Sequence, residues 1–143
     1  MSQADRDCVF CSIAAGEVPA SIVHQDESTV AFMDIFPMAP GHVLLIPRDH
    51  FSDLMELSAE LSALMGGWLP KLSRAVKSAT GAEGVNLISA AGKAAGQEVF
   101  HVHFHLLPRW TADGMVRLGG SRGRPQRDEL DGWARRIAEA ATD

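Results

Sequence analysis

Between Leu54 and Thr80, the residues Leu57, Leu61, Leu64, Met65, Trp68, Leu69, Leu72 and Val76 recur at spacings of three and four, the period of one helical face. This is the chain's main helix, and its apolar stripe demands a partner surface. Ser58 is placed to cap its start, Gly81 to stop it in the left-handed conformation, and Pro70 inside the pattern predicts a kink.

The flanking segments supply that surface. "SIVHQD" and "TVAFMDI" are β-rich and separated by Asp26, Glu27 and Ser28, which predicts a hairpin. "FPMAPG" breaks the pattern, and "HVLLIP", closed by Pro47, is a third antiparallel strand. After the helix, "GVNLISAA" and "EVFHVHFHLLP" are two further strands around the loop "GKAAGQ". "FCSIAAGEVP" predicts a short helical turn ended by Gly16 and Pro19, and "DELDGWARRIAEAA" a C-terminal helix.

A length of 143 residues fits one domain, residues 1–143. Thirteen basic against eighteen acidic side chains give a net charge of −5, the wrong sign for a protein that lives on nucleic-acid backbones. The apolar runs are too short for a bilayer, so no membrane partner is expected. "MSQADRD" is polar where a secretory signal needs an apolar stretch, and the expected location is cytoplasmic. "RLGGSRGRPQR" gathers Arg117, Arg122, Arg124 and Arg127 in a Gly-rich stretch that reads as a mobile loop. Cys8 and Cys11, spaced C-x-x-C, are too few for a disulfide framework. Their N-terminal position weakens a redox role and leaves metal, for which two ligands do not suffice.

In "FHVHFHLLPR", the residues His101, His103 and His105 fall on one strand face, with neighbours roughly 6.5 to 7 Å apart. Phe100, Val102, Phe104 and Leu106 fall on the other, the face expected against the long helix. Three imidazoles could hold one catalytic zinc, but three same-face residues in a row are nearly collinear and converge poorly on one ion. The alternative is a division of labour, in which one neutral ring is a nucleophile and its neighbours fix its tautomer. The small residues of "GKAAGQ" leave backbone N–H groups open to an anion, and with a histidine nucleophile they point to phosphoryl or nucleotidyl transfer.

"AGQEVFHVHFHLLPR" resembles the signature of the histidine triad (HIT) family, His-φ-His-φ-His-φ-φ with φ apolar, at every position from His101 to Leu107. "CVFCSIAAGEVPASIV" and "AFMDIFPMAPGHVLLIPRDH" extend the resemblance over residues 8 to 109. It implies an α+β fold, a five-stranded antiparallel sheet with one long helix across it, followed here by the C-terminal helix, and a homodimer. It implies cleavage at the α-phosphorus of a purine nucleotide or nucleotide conjugate, or else a nucleotide-binding regulatory module with negligible turnover. Carried over by position, His103 is the nucleophile, His105 lies beside the scissile phosphate, and His42 supports the triad. Asp34 receives the ribose hydroxyls. Phe10, Ile13, Phe32, Ile35 and Leu44 line the base pocket, and Gln97 lies near the phosphate. In zinc-containing branches similar to this chain, Cys8, Cys11, His50 and His101 hold a structural Zn2+. His24 matches no role. Two departures bear on the leaving group: Ala90 stands where many relatives have Asn, and Glu98 where Ser or Thr is frequent.

Overall fold

The alternation within β2 (Thr29–Met33) and β3 (Val43–Pro47) sends side chains to two different cores. Ala31, Val43 and Leu45 join Leu106 under Met65, Leu72 and Val76 of the long helix. Val30, Phe32, Leu44 and Ile46 pack on the opposite side with Phe10, Ile13 and Ala14. Leu45, Ile46 and Leu106 are fully buried, each stabilising by about 1.5–3 kcal/mol relative to exposure. With β1 (Ile22–Gln25), β4 (Gly84–Ile88) and β5 (Phe104–Arg109), these strands form one five-stranded antiparallel sheet in the order β1-β2-β3-β5-β4.

Two short helices, α1 (Gln3–Arg6) and α2 (Val9–Ala14), precede the sheet. The long helix α3 (Ala59–Thr80) starts where its cap predicts: Ser58 Oγ accepts the Leu61 N–H at 3.1 Å, and Gly81 ends the helix at φ 70°. Leu54–Glu56 is a separate 3-10 turn, and α3 continues through Pro70. The β1–β2 hairpin is tied to α3 at its tip. Asp26 accepts N–H bonds from Ser28 and Thr29, the Thr29 hydroxyl and, at 3.0 Å, the Trp68 indole N–H. His24 stacks on the Trp68 ring at 3.5 Å, which gives it a packing role between sheet and helix.

The last strand is shorter than its periodicity predicts. Pairing begins at Phe104, not Glu98, because the Val102 N–H goes to the Phe51 carbonyl at 2.7 Å instead of to a neighbouring strand. Phe100 is correspondingly exposed and does not join the α3 core.

The computed structural model describes residues 3–115, 119 and 123–141, in two compact units that divide between Asp113 and Gly114. The second unit contains α4 (Arg127–Ala140), where the Arg136 guanidinium lies 4.2 Å from the Trp133 ring centre. Arg117 and Arg122 of the Arg-rich stretch lie outside the described residues. No helix among the described residues is long and apolar enough to cross a membrane.

Candidate active site and metal centre

The turn before β3 buries His42 and fixes its protons. The Met38 N–H donates to His42 Nδ1 at 3.1 Å, so the ring's own proton is on Nε2, from which it donates to His105 Nδ1 at 2.9 Å. His105 therefore carries its proton on Nε2. Burial lowers the His42 pKa, with the nearby His103 adding to the effect against the pull of Asp34. Burial, then the charges of His103 and His42, lowers that of His105 to about 4. Both rings are neutral at pH 7.

His103 is wired the opposite way. Its Nδ1–H donates to the backbone carbonyl of His101 at 2.8 Å, which leaves the Nε2 lone pair free. The rings of His103 and His105 lie 4.9 Å apart, and Phe10 sets its edge against His103 at 5.2 Å. The three triad rings thus occupy two separate sites, since His101 turns away into a cluster with the cysteines.

His103, His105 and His42 line a cavity of about 740 Å³. Phe10, Ile13, Phe32 and Leu44 give it an apolar wall, Ile35 stands exposed at its lip, and Asp34 and Glu98 also line it. Asp34 accepts the Phe36 N–H through Oδ1 at 2.9 Å, and its Oδ2 lies 3.6 Å from His42 Nδ1. Gln97 is not among the lining residues. It is buried as a brace, accepting the Gly92 N–H and donating to the carbonyls of Ser52 and Val99.

Cys8, Cys11, His50 and His101 bring four ligand atoms within 4.8 Å of one another. His101 donates Nε2–H to the Pro47 carbonyl at 2.8 Å, so Nδ1 presents its lone pair to both thiols, 3.4 Å away. His50 Nδ1 lies 3.3 Å from Cys11 Sγ. A tetrahedral zinc with bonds of about 2.3 Å to sulfur and 2.0 Å to nitrogen places such donors roughly 3.5 Å apart. Burial and the neighbouring Cys8 push the Cys11 thiol up to about 12, while burial brings His101 down to about 4. A neutral His101 imidazole and a Cys11 thiol that ionises only beside a cation suit a metal ion, which displaces the thiol proton on binding. Asp34, His42 and His105 also cluster, but both His42 nitrogens are already engaged, and that set is a hydrogen-bonded chain.

Three supports escape the sequence patterns: the Met38 N–H, the Pro47 carbonyl, and the Ser89 hydroxyl, which donates to the His103 carbonyl at 2.8 Å. Two of them act through backbone atoms, which leave no residue-type signal.

A profile of the HIT domain matches residues 15–112. The adenylylsulfatase HINT3 of Arabidopsis thaliana is 38% identical over 112 residues, 78% of this chain and 57% of that protein. The histidine triad nucleotide-binding protein of Candida albicans superposes with a TM-score of 0.84 at 30% identity, covering 96% of this chain and 100% of that one. A Zn-bound histidine triad family protein from Mycobacterium smegmatis superposes with a TM-score of 0.73 at 36% identity, over 87% and 88% of the two chains.

Proposed function

Because the chain belongs to the HIT family, we propose that it is a nucleotide-binding hydrolase or nucleotidyl transferase that cleaves at the α-phosphorus of a purine nucleotide conjugate. The observation that carries this reading is the His103 tautomer. With Nδ1–H held by the His101 carbonyl, Nε2 of this cavity-lining ring keeps the one nucleophilic lone pair of the His103–His105–His42 group.

Nε2 attacks the phosphorus, and the bond to the leaving group breaks with its electron pair. The leaving group takes a proton from solvent at the cavity mouth. His105, with its proton on Nε2, hydrogen-bonds the phosphoryl oxygens as charge builds there. Water then attacks the phosphorus of the nucleotidyl-His103 intermediate, the P–N bond breaks, the lone pair returns to Nε2, and the water's proton is released. Asp34 takes the ribose hydroxyls, the Phe10, Ile13, Phe32, Ile35 and Leu44 surface takes the base, and Glu98 faces the leaving-group side. Gln97 supports the phosphate loop from within. The name of the Arabidopsis relative, adenylylsulfatase, agrees with a conjugate of an adenine nucleotide as substrate class.

Cys8, Cys11, His50 and His101 hold a structural zinc, supported by the donor geometry and by the Zn-bound relative. The protein acts as a homodimer in the cytoplasm, a reducing compartment that suits two cysteines joined by no disulfide.

The test is mass spectrometry of protein mixed with a nucleoside phosphoramidate. A nucleotidyl adduct on His103 is expected, with turnover abolished in His103→Ala while nucleotide binding largely survives. Nucleotide binding with no adduct and no turnover in the wild type would make the protein a regulatory binding module instead.

A further inference from the structure

His103 precedes the first paired residue of β5, so the ladder does not hold the nucleophile in place. Three other bonds fix the stretch 101–103. His101 Nε2–H goes to the Pro47 carbonyl at 2.8 Å, the Val102 N–H to the Phe51 carbonyl at 2.7 Å, and the Ser89 hydroxyl to the His103 carbonyl at 2.8 Å. One of these anchors belongs to the four-donor cluster, since His101 is itself a donor, and a second adjoins it, since Phe51 directly follows the donor His50. The carbonyl of His101 in turn receives the Nδ1–H of His103. A second strut runs through α2. Phe10 lies between Cys8 and Cys11, and its ring meets His103 edge-on at 5.2 Å and His101 at 6.0 Å.

We propose that the Cys8/Cys11/His50/His101 metal centre positions the nucleophile, with His101 and Phe10 as the positioning residues that transmit metal occupancy to the His103 ring. The proposal rests on the reading of His103 as the nucleophile. With a cation bound, the His101 ring is held at both nitrogens, and its carbonyl presents one fixed acceptor to His103. Without it, Nδ1 of His101 faces two thiols, which are weak donors. The peptide that orients His103 then gains freedom, and α2, only six residues long, loses the bonds that press Phe10 onto the ring. Misplacement of a reacting atom by about 1 Å costs on the order of a hundredfold in rate, so a modest relaxation has a measurable effect.

The experiment compares zinc-loaded and chelator-treated protein by nitrogen-15 NMR of the His103 ring, by single-turnover adduct formation with a nucleoside phosphoramidate, and by AMP affinity. In the loaded protein a single tautomer is expected, protonated at Nδ1. Chelation is expected to mix the tautomers and slow adduct formation about tenfold or more, while AMP affinity changes about twofold or less. His50→Cys, which keeps four donors, restores tautomer and rate, and His50→Ala does not. Chelated protein that is folded, keeps one tautomer and reacts at the loaded rate overturns the proposal. A loaded wild type that forms no adduct overturns the nucleophile reading alone, since the tautomer comparison needs no turnover. Where chelation unfolds the protein, cadmium exchange replaces it, because cadmium keeps four donors at longer bonds. A change of about threefold or more in the adduct rate with AMP affinity intact is then expected, and equal rates in the two metal forms overturn the coupling.

Discussion

His105 can accept the His42 N–H only while it lacks a proton on Nδ1, and burial, followed by the charges of His103 and His42, displaces its pKa downward. The ring titrates near 6.5 in an unfolded chain and at about 4 here. Between those values the unfolded chain binds a proton that the folded one refuses, so the contribution to stability is complete above pH 6.5 and is lost as pH falls toward about 4. His105→Asn keeps an acceptor, Oδ1, for His42 and does not titrate. Its melting temperature is expected to depend less steeply on pH across that window than wild type, and equal slopes in a melting series would place the acid sensitivity elsewhere. Asp34 has one oxygen committed to the Phe36 N–H, which holds the carboxylate at the cavity wall in one orientation. Asp34→Ala is expected to weaken ribonucleotides more than deoxyribonucleotides in calorimetric titration; losing both equally would remove it from the sugar site.

At the scale of elements, α2 is the least self-sufficient piece. Six residues cannot sustain a helix alone in water. This one is held by the Cys8 sulfur accepting the Cys11 N–H at 3.4 Å, by Phe10 in the second core, and by the donor cluster. Cys8→Ser is expected to lose the roughly one equivalent of zinc per chain and to melt about 5 °C or more below wild type. A variant with zinc gone and an unchanged melt would assign the cysteines no part in stability. The five strands, α3 and its Ser58 and Gly81 ends were legible in the sequence because periodicity and capping are local. The start of β5 was not. An alternation of two marks extended backbone but does not tell whether its N–H groups meet a strand or, as at Val102, the Phe51 loop. The same limit applies to Gln97, whose position in the motif suggests the phosphate while its amide is spent on backbone carbonyls. The division of the triad into two sites depends on where the Cys8–Cys11 turn lands, a contact 90 or more residues away in the chain.

For the molecule as a whole, the sheet order leaves β4 at one edge, with Leu87 about half exposed on it. Among the described residues no strand pairs with the outer side of β4, and such an edge beside an apolar side chain suits pairing with a second copy under two-fold symmetry. Sedimentation equilibrium is expected to give the dimer mass, with Leu87→Lys shifted toward monomer, and a monomer at every concentration would sink the homodimer. The placing of the four candidate donors along the chain bears on how it is made. Its donors are 39 residues apart between Cys11 and His50, and 90 between Cys11 and His101. A chain leaving the ribosome exposes the two thiols first and lacks the fourth donor until His101 has been synthesised. Closing so long a loop is entropically costly unless β3 and β5 have already paired. A zinc ion held by these four donors would therefore be captured late, as a seal on a nearly finished fold, and released only as often as that whole loop reopens.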